Sequence, residues 1–382
     1  MVSSIRAIKM QDIITDIAAG PFGSNLKVSC FVDQGVPIID GANLKGIKVT
    51  DNVTKFVTNE KAESLYRSIA NRGDIVVTIS GNVGQIAYIP YDSLYERYLV
   101  SQRQFRLTIN SLEAYVPYIV YYFHTPEGQH KILSFANQTG VPALAQPLKN
   151  FKNIKIDLPD LETQKKIAKV LSALDDKIEL NNQINKNLEE QANALFDNMF
   201  PNISQGNKTV GDYIVPKRGK SLLSKDAVLG DVPVVAGGLE PSTYHNESNT
   251  TAPVITISAS GANAGYVSLW HIPVWSSDSS YIDSKMSDNV YFWYVLLKKR
   301  QKEIYDSQTG SAQPHIYPQH IAELPLSELS LESISLFNIR VTSLFAQIAN
   351  NKAENAILHK TRDTLLPKLM SGEIDVDNVE GL

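Results

Sequence analysis

The sequence has very little cysteine and no long hydrophobic run. Cys30 is the only cysteine among 382 residues. This excludes an internal disulfide framework and is typical of proteins in a reducing compartment. No apolar stretch approaches the roughly 20 residues needed to span a bilayer. The first residues, MVSSIRAIKMQD, contain no apolar segment as long as that of a signal peptide. We therefore expect a cytoplasmic protein that does not associate with a membrane.

The sequence also lacks a charge bias and the motifs of several enzyme classes. Its net charge is −4, so it is not the strongly basic chain expected to bind nucleic acid by charge alone. It contains no G-x-x-x-x-G-K-[ST] phosphate loop and no Asn/Asp-Pro-Pro-Tyr/Phe methyltransferase motif. PDLETQK (159–165) has the letters of a PD…ExK nuclease, but its carboxylates lie at a predicted helix start and not on separate strands. A single cysteine cannot build a Cys-rich zinc site. No catalytic constellation is predicted.

An internal repeat is the main positive feature of the sequence. LETQKKIAKVLSALDDKIEL (161–180) and LESISLFNIRVTSLFAQIAN (331–350) have apolar residues at matching positions, 170 residues apart. Further upstream, Gly23 aligns with Gly219 at an offset of 196. Offsets that shrink along the chain indicate shorter loops in the second copy. We predict two copies of one unit, each a globular part followed by a long helix.

Each globular part combines strand-like and helix-like segments. GDIVVTIS (73–80) and APVITIS (252–258) are rich in β-branched residues and end near clusters of Gly, Asn and Ser, which is typical of strands. YVPYIVYYFH (115–124) and NVYFWYVLLKKR (289–300) have the length and pattern of buried helices. The predicted fold class is α+β, with two similar mixed α/β domains.

The long helices carry an apolar pattern that repeats at steps of three and four, which gives each helix one apolar seam. A helix from about 161 to 199 is roughly 55–60 Å long, more than a domain of this size needs for its own core. We predict that the seams pack as an antiparallel coiled coil, a strut between the globular parts. Two independent helical hairpins are the alternative. The predicted seam residues are Ile167, Leu171, Leu174, Ile178, Leu188, Leu195, Phe337, Val341, Leu344, Ile348, Leu358 and Leu365.

Both helices have a polar interruption at matching places. NNQ (181–183) interrupts the first helix and NNK (351–353) interrupts the second. We expect Ile184 and Ile357 to continue the apolar pattern beside these interruptions.

Several segments resemble conserved regions of the specificity subunits of type I restriction–modification systems, in the family's order and over nearly the whole chain. They are GPFGSNLK (20–27), VPIIDGANLKG (36–46), GDIVVTISGNVGQIAYIP (73–90), residues 154–200, QTGSAQPHI (308–316) and LLPKLMSGEI (365–374). The sequence departs from the family pattern at Asp160, where a second proline is usual. It also departs in the second copy, where Ser333–Ser335 replace the counterpart of Gln164.

The resemblance implies two target-recognition domains, each contacting half of a split DNA sequence, held apart by two antiparallel helices. It implies partners: double-stranded DNA, two methyltransferase subunits, and restriction subunits when cleavage occurs. Such a subunit is not an enzyme, so S-adenosylmethionine, ATP and Mg²⁺ are expected on the partners and no cofactor in this chain. The predicted boundaries are 1–157 for the first target-recognition domain, 158–200 for the central helix, 208–326 for the second domain and 330–376 for the C-terminal helix.

A half-site reader must place donors and acceptors in the major groove, where all four base pairs are distinguishable. Loops rich in Gly, Ser, Asn and Gln, with some Lys and Arg, suit this purpose. For each residue alone, a surface turn is the competing interpretation. The candidates are Asn82, Gln85, Gln102, Arg103 and Gln104 in the first domain, and Lys217, Arg218, Lys220, Ser260, Asn263 and Gln313 in the second.

The KKRQK segment and the function of the whole protein each allow two interpretations. KKRQK (298–302) could contact phosphate or complement the dipole of a helix C-terminus. The whole protein could be a non-catalytic DNA-reading scaffold, or a coiled-coil adaptor that binds only proteins and has lost DNA recognition. The polar and basic loops in both halves favour the DNA reader.

Overall fold

The structure is a computed structural model that describes residues 5–137, 140–310 and 313–379. It divides into two compact units. Unit 1 contains the chain up to Ile178 and the segment from Ile357 onward, and unit 2 contains Glu179–Ala356. Each unit therefore has a globular part and portions of both long helices. Within the described ranges, no helix combines the length and hydrophobicity needed to cross a membrane.

The described part of the first half of the chain contains thirteen strands and five α-helices. They are β1 (Arg6–Lys9), β2 (Ile14–Ala19), β3 (Phe31–Val32), β4 (Val36–Ile39), β5 (Phe56–Val57), α1 (Asn59–Ser64), β6 (Ile69–Asn71), β7 (Ile75–Thr78), β8 (Ile86–Tyr88), β9 (Arg97–Val100), β10 (Gln104–Ile109), α2 (Val116–His124), α3 (Pro126–Leu133), β11 (Ala136–Asn137), β12 (Ala143–Leu144), α4 (Pro147–Asn153), β13 (Lys155–Leu158) and α5 (Leu161–Met199).

The second half repeats this arrangement with fewer elements. They are β14 (Lys208–Thr209), β15 (Lys217–Arg218), β16 (Val232–Val235), β17 (Thr243–His245), β18 (Val254–Ser258), β19 (Val267–Trp270), β20 (Trp275–Ser276), β21 (Ser279–Asp283), α6 (Val290–Lys299), α7 (Gln301–Asp306), α8 (Pro318–Ala322), β22 (Pro325–Leu326) and α9 (Leu331–Met370).

The central sheets of the two units have the same strand order. In unit 1 the order is β2-β10-β7-β8, and in unit 2 it is β15-β21-β18-β19. All neighbouring strands in both sheets are antiparallel. Strands β7 and β18 are buried along their whole length, which explains why their sequences are unbroken apolar and β-branched runs and not alternating ones. The prediction of two similar α+β domains is confirmed.

A second sheet accompanies each central sheet, and here the units differ. Unit 1 has the order β3-β5-β4-β9-β6, and unit 2 has β17-β16-β20. Both contain one parallel pair, β4 with β9 and β16 with β20. In each unit the second strand of this pair, β9 or β20, is followed directly by a strand of the central sheet, β10 or β21. The shorter second sheet explains the shrinking offset of the repeat.

Gly20 and Gly219 occupy equivalent places at the end of β2 and β15. Their amide groups donate to the carbonyl oxygens of Gln104 and Ser279, both at 2.8 Å. A Cβ on Gly20 would lie 1.9 Å from the oxygen of Ser101, and one on Gly219 would lie 2.3 Å from a backbone oxygen of the matching turn. The alignment of Gly219 with Gly23 was therefore wrong by three residues, since backbone proximity and not local similarity defines the counterpart.

The two long helices begin with different sequences but hold the neighbouring helix in the same way. Asp160 caps α5 by accepting a hydrogen bond from the amide of Thr163 at 2.9 Å. Gln164 is fully buried and accepts the amide of Tyr115 at the start of α2 at 2.8 Å. In unit 2 the amide of Tyr291 in α6 donates to Asn338 instead, at 3.1 Å.

Asn338 lies one helical turn beyond the position that corresponds to Gln164. We call α2 and α6 the aromatic helices. In both copies a side-chain amide oxygen of the long helix therefore accepts a backbone amide at the start of the aromatic helix, although the glutamine has been replaced in the second copy. This explains the departure at Ser333–Ser335 in the sequence.

The helices α5 and α9 pack antiparallel inside each unit. In unit 1, Ile167 and Leu171 share a core with Leu369 and Leu366. In unit 2, Phe196 of α5 contacts Phe337 of α9, with ring centroids 5.4 Å apart. The antiparallel pairing is confirmed, and its function as a strut stays a prediction. The structure buries Ile167, Leu171, Ile178, Phe337, Val341 and Ile348, and half-buries Leu174, Leu188, Leu195, Leu344, Leu358 and Leu365.

The same pairing in unit 1 includes one ion pair that also holds the aromatic helix. Arg362 of α9 donates to Asp175 of α5 at 2.6 Å, and the hydroxyl of Tyr121 in α2 donates to the same carboxylate at 2.5 Å. Burial, and next the charge of Asp175, raises the pKa of Tyr121 above its usual range. The tyrosine therefore stays a neutral donor at any physiological pH.

Asparagines fill the seam in unit 2, where isoleucines were expected. Asn181, Asn185, Asn351 and Asn355 are each at most 8% exposed. Asn181 donates to Asn355 at 2.9 Å, and Asn351 donates to Asn185 at 2.8 Å. At the repeat offset of 170, each of these two pairs is the counterpart of the other. We call these four residues the asparagine ladder.

The expectation for Ile184 and Ile357 was wrong. Their exposed fractions are 37% and 66%. Continuing the steps of three and four from Ile178 leads to Asn181 and Asn185, and Ile184 lies about 100° away around the helix. The helix geometry therefore places an amide, and not the nearby isoleucine, in the seam.

We predict that Gly20→Ala destabilises unit 1 by roughly 1–3 kcal/mol, because the added methyl group overlaps a backbone oxygen that cannot move away independently. Chemical denaturation of the purified protein measures the change in the free energy of unfolding. Gly46→Ala is the control: nothing lies within 4 Å of a Cβ there, so a change within about 0.5 kcal/mol is expected. Equal effects of the two substitutions would contradict the close backbone approach at Gly20.

We also predict energetic coupling across the asparagine ladder. Asn185→Ala or Asn351→Ala leaves a buried amide without its partner, which costs about 1–3 kcal/mol. In a double-mutant cycle the pair should show a coupling of about 0.5–3 kcal/mol. Asn187 and Gln191 form the control cycle, since they are hydrogen bonded at 2.9 Å on the exposed face of α5; coupling below about 0.5 kcal/mol is expected there. A ladder coupling no larger than that of the control would show that the amides contribute nothing to the pairing.

Candidate nucleic-acid interface

An open groove lies in unit 1 where β2 leaves the central sheet. Its volume is about 780 Å³, and it is bounded by residues 17–25, by residues 64–68 after α1, and by the turn between β9 and β10. Gly23 and Gln102 approach closely at one side of the groove, since a Cβ on Gly23 would lie 2.5 Å from the side-chain oxygen of Gln102. We call this cavity the β2 groove.

The β2 groove presents arginines and exposed aromatic rings together. Arg67 and Arg103 line it and are exposed. Phe22 and Tyr66 also line it, and their exposed fractions are 83% and 68%. Large aromatic side chains at this exposure are unusual for a solvent surface. Guanidinium groups bind phosphates and base edges, and rings stack on bases or sugars. The groove therefore has the chemistry of a nucleic-acid contact.

A buried arginine supports the segment that carries Arg67. Arg106 donates through Nε and Nη2 to the backbone oxygen of Arg67, at 3.2 and 3.1 Å. It also pairs with Asp16 at 2.6 Å. Asp74 lies nearby, accepts a hydrogen bond from Thr108 at 2.6 Å, and has a raised pKa because it is buried. These contacts fix the backbone of the groove wall.

The residues predicted in the first domain separate into two groups. Gln102 and Arg103 line the β2 groove, and Asn82 is exposed on the neighbouring loop. Gln85 is half-buried and accepts a hydrogen bond from Thr78 at 3.3 Å. Gln104 is fully buried and accepts the amide and the hydroxyl of the serine at position 101, at 3.2 and 2.9 Å. Gln104 therefore holds the turn that carries Arg103, and its side chain is not available to a ligand.

The residues predicted in the second domain converge from three parts of the chain. Arg218 donates from Nη2 to Oδ1 of Asp278 at 2.6 Å. The hydroxyl of Ser260 donates a short hydrogen bond to the other oxygen of that carboxylate. Gly261, the next residue, donates its amide to the backbone oxygen of Pro314 at 3.1 Å, which brings the loop that carries Gln313 beside Ser260.

The remaining candidates of the second domain lie around this cluster. Lys217, Lys220 and Gln313 are exposed. The ammonium of Lys220 lies 5.9 Å from the centre of the Trp275 ring. Asn263 is half-buried and its carbonyl accepts the amide of Tyr266 at 2.9 Å, so its backbone shapes the loop. Residues 311 and 312 of the predicted QTGSAQPHI motif lie outside the described residues.

Arg103 and Asp278 occupy the same position in the two units. The backbone oxygen of Arg103 accepts the amide of Ile79 at 2.7 Å, and that of Asp278 accepts the amide of Ala259 at 3.1 Å. One position therefore carries opposite charges in the two copies. Sequence reasoning did not select Asp278, because an acidic residue is not an obvious candidate for a DNA-facing loop. Only the pairing with Arg218 shows its importance.

The KKRQK segment is engaged within unit 2. Arg300 is 4% exposed and donates to the backbone oxygen of Pro325 at 2.6 Å. Lys299 pairs with an aspartate of α5 at 2.9 Å and Lys302 with one of its own helix at 2.5 Å. Lys298 donates to a backbone oxygen at 3.0 Å, and burial lowers its pKa. These contacts favour the structural interpretation over phosphate binding.

The described part of the chain contains no cluster of three or more His, Cys, Asp or Glu side chains that could hold a metal ion.

Comparisons with known proteins agree with this geometry. Residues 34–190 match the family of the type I restriction modification DNA specificity domain. The chain is 25% identical to the type I restriction enzyme MjaIX specificity subunit of Methanocaldococcus jannaschii, over 97% of this chain and 94% of that protein. It is also 25% identical to the HindI specificity subunit of Haemophilus influenzae, over 58% of this chain and 69% of that one.

A solved structure shows the same fold. The type I restriction–modification S subunit from M. genitalium superposes with a TM-score of 0.61 and 18% identity, and the match covers 96% of each chain. At this identity the superposition concerns the fold alone. The resemblance inferred from the sequence motifs is confirmed by the family match and by the specificity subunits to which the chain is similar.

Proposed function

We propose that this protein, whose residues 34–190 match the type I restriction modification DNA specificity domain family, is the DNA sequence-recognition subunit of a type I restriction–modification complex. It reads a bipartite target with one domain for each half-site. It is a scaffold for two methyltransferase subunits and for restriction subunits, and it performs no chemistry itself. S-adenosylmethionine, ATP and Mg²⁺ are bound by those partners.

The observation that carries this proposal is the pair of equivalent loop clusters. In each unit, polar and cationic side chains gather where the second sheet leads into the central sheet: Arg67 and Arg103 in one, Arg218 and Ser260 in the other. The scaffold beneath them is the same, and the side chains differ. A protein that must read two different half-sites needs this combination of a repeated fold and unlike loops.

Selection from a pool of random-sequence DNA duplexes tests the proposal. The full chain, assembled with its cognate methyltransferase subunits, should enrich two short defined sequences separated by an unread spacer. Binding should weaken steeply with added salt for all duplexes, and the selected ones should keep an advantage. If no sequence is enriched, the protein is a protein-binding adaptor and the proposal fails.

The strut prediction can be tested with the same selection. We predict that one heptad inserted after Ile178 and one after Ala356, where the unit boundary crosses α5 and α9, lengthens the spacer without changing either half-site. A heptad adds about 10 Å of helix, which corresponds to roughly three base pairs. A heptad in α5 alone is the control; it lengthens one helix and not the other, so α5 and α9 cannot stay in register on both sides of the insertion, and selection should be abolished. An unchanged spacer in the double insertion would rule out the strut.

A further inference from the structure

We infer that each domain reads a G·C base pair through one arginine, Arg103 in the first domain and Arg218 in the second, and that Asp278 is the positioning residue for Arg218. This inference rests on the proposed function and names what the two clusters recognise.

Arg103 is presented to solvent on a tightly held turn. Its backbone oxygen accepts a hydrogen bond from the amide of Ile79, the residue after β7. The buried side chain of Gln104 accepts the amide of Ser101 at the start of the turn. A Cβ on Gly81 would lie 3.9 Å from Nη1 of Arg103, so the guanidinium lies over this glycine at the rim of the β2 groove. Gly81 has a φ of +89°, which disfavours any side chain there. In the residues that the structure describes, Arg103 forms no ion pair.

Arg218 reaches the corresponding place from a different strand. It pairs with Ser280 in the central sheet, as Ala19 pairs with Phe105 in unit 1. Its guanidinium extends to Asp278, which stands where unit 1 has Arg103. The chain therefore brings a guanidinium to the same corner of both domains, once from the turn itself and once from the neighbouring strand.

Asp278 holds one edge of this guanidinium and is itself fully engaged. Oδ1 accepts from Arg218 and Oδ2 from Ser260. The side chain of Arg218 is still 42% exposed, and arginine has five N–H donors, so donors are left for a ligand. An exposed ion pair adds little stability. A carboxylate that orders a guanidinium in advance lowers the entropic cost of placing it on a base.

The chemistry of such a donor fork selects guanine. In the major groove guanine offers the acceptors O6 and N7 side by side, and arginine bonds to both, which is the commonest specific contact between proteins and DNA. Lysine keeps the charge but cannot form the two parallel bonds. The substitution of arginine by lysine therefore separates base reading from phosphate binding.

The experiment is the duplex selection with Arg103→Lys, Arg218→Lys and Asp278→Asn, in the full chain with its methyltransferase subunits. Arg103→Lys should relax one G·C position in one half-site, and Arg218→Lys one G·C position in the other. Discrimination at these positions should fall roughly 5- to 150-fold. Asp278→Asn should relax the same position as Arg218→Lys. The remaining positions of the motif should not change.

Arg97→Lys is the matched control, because this arginine pairs with Glu63 and does not line the β2 groove; its motif should equal that of the wild type. Thermal unfolding midpoints equal to the wild type show that the variants fold, and Arg103→Gln and Arg218→Gln repeat the test without the charge. The inference is overturned if the lysine variants keep the full motif, or if the relaxed position is an A·T pair. A wild-type protein that selects no motif would instead refute the proposed function.

Discussion

The antiparallel pairing of α5 and α9 is the constraint on which the structure depends. Each globular part buries its aromatic helix against both long helices, so neither core is complete without segments that are far apart in sequence. In unit 1 the hydroxyl of Tyr121 and the guanidinium of Arg362 share the carboxylate of Asp175. In unit 2 the rings of Tyr291 and Phe345 stack with centroids 4.6 Å apart. The fold of each unit therefore requires both helices in register.

The asparagine ladder explains how that register can be unique. An aliphatic seam tolerates sliding by a turn or a heptad, because one leucine contacts another almost equally well. Buried amides do not, since a slip would leave their donors and acceptors unpaired. The internal repeat relates the two hydrogen-bonded pairs of the ladder to each other, since Asn181 corresponds to Asn351 and Asn185 to Asn355. Each copy of the repeat thus contributes one asparagine to each hydrogen-bonded pair.

The repeat keeps the scaffold and varies the residues on it. The amide cap on the aromatic helix is retained although Gln164 has moved to Asn338 in the second copy. By contrast, the turn that carries Arg103 carries Asp278 in the second copy, so its charge is reversed. Backbone hydrogen bonds at the turn are the same in both units. The repeat therefore keeps the backbone of this turn and changes the charge that it carries.

Periodicity and composition were enough to predict the long helices, the apolar seam, the buried central strands and the repeat. These features depend on local spacing, which the sequence displays directly. The burial of Gln104 and the counterpart of Gly219 could not be predicted, because each depends on which atoms meet after folding. Asn185 was missed for another reason: the steps of three and four from Ile178 lead to it, but the apolar pattern was continued through Ile184. Asp278 was missed because an acidic residue is not an obvious candidate in a DNA-facing loop, and because its pairing with Arg218, sixty residues away in the chain, is visible only after folding.

The measurement that tests the central claim most directly is the adenine methylome of the source strain, with and without this gene. Our account predicts that one motif of two short half-sites, separated by an unread spacer, loses methylation when the gene is deleted, and regains it when the gene is returned. If cells with an active partner methyltransferase show the same methylome with and without the gene, the protein does not direct DNA recognition and the account is wrong.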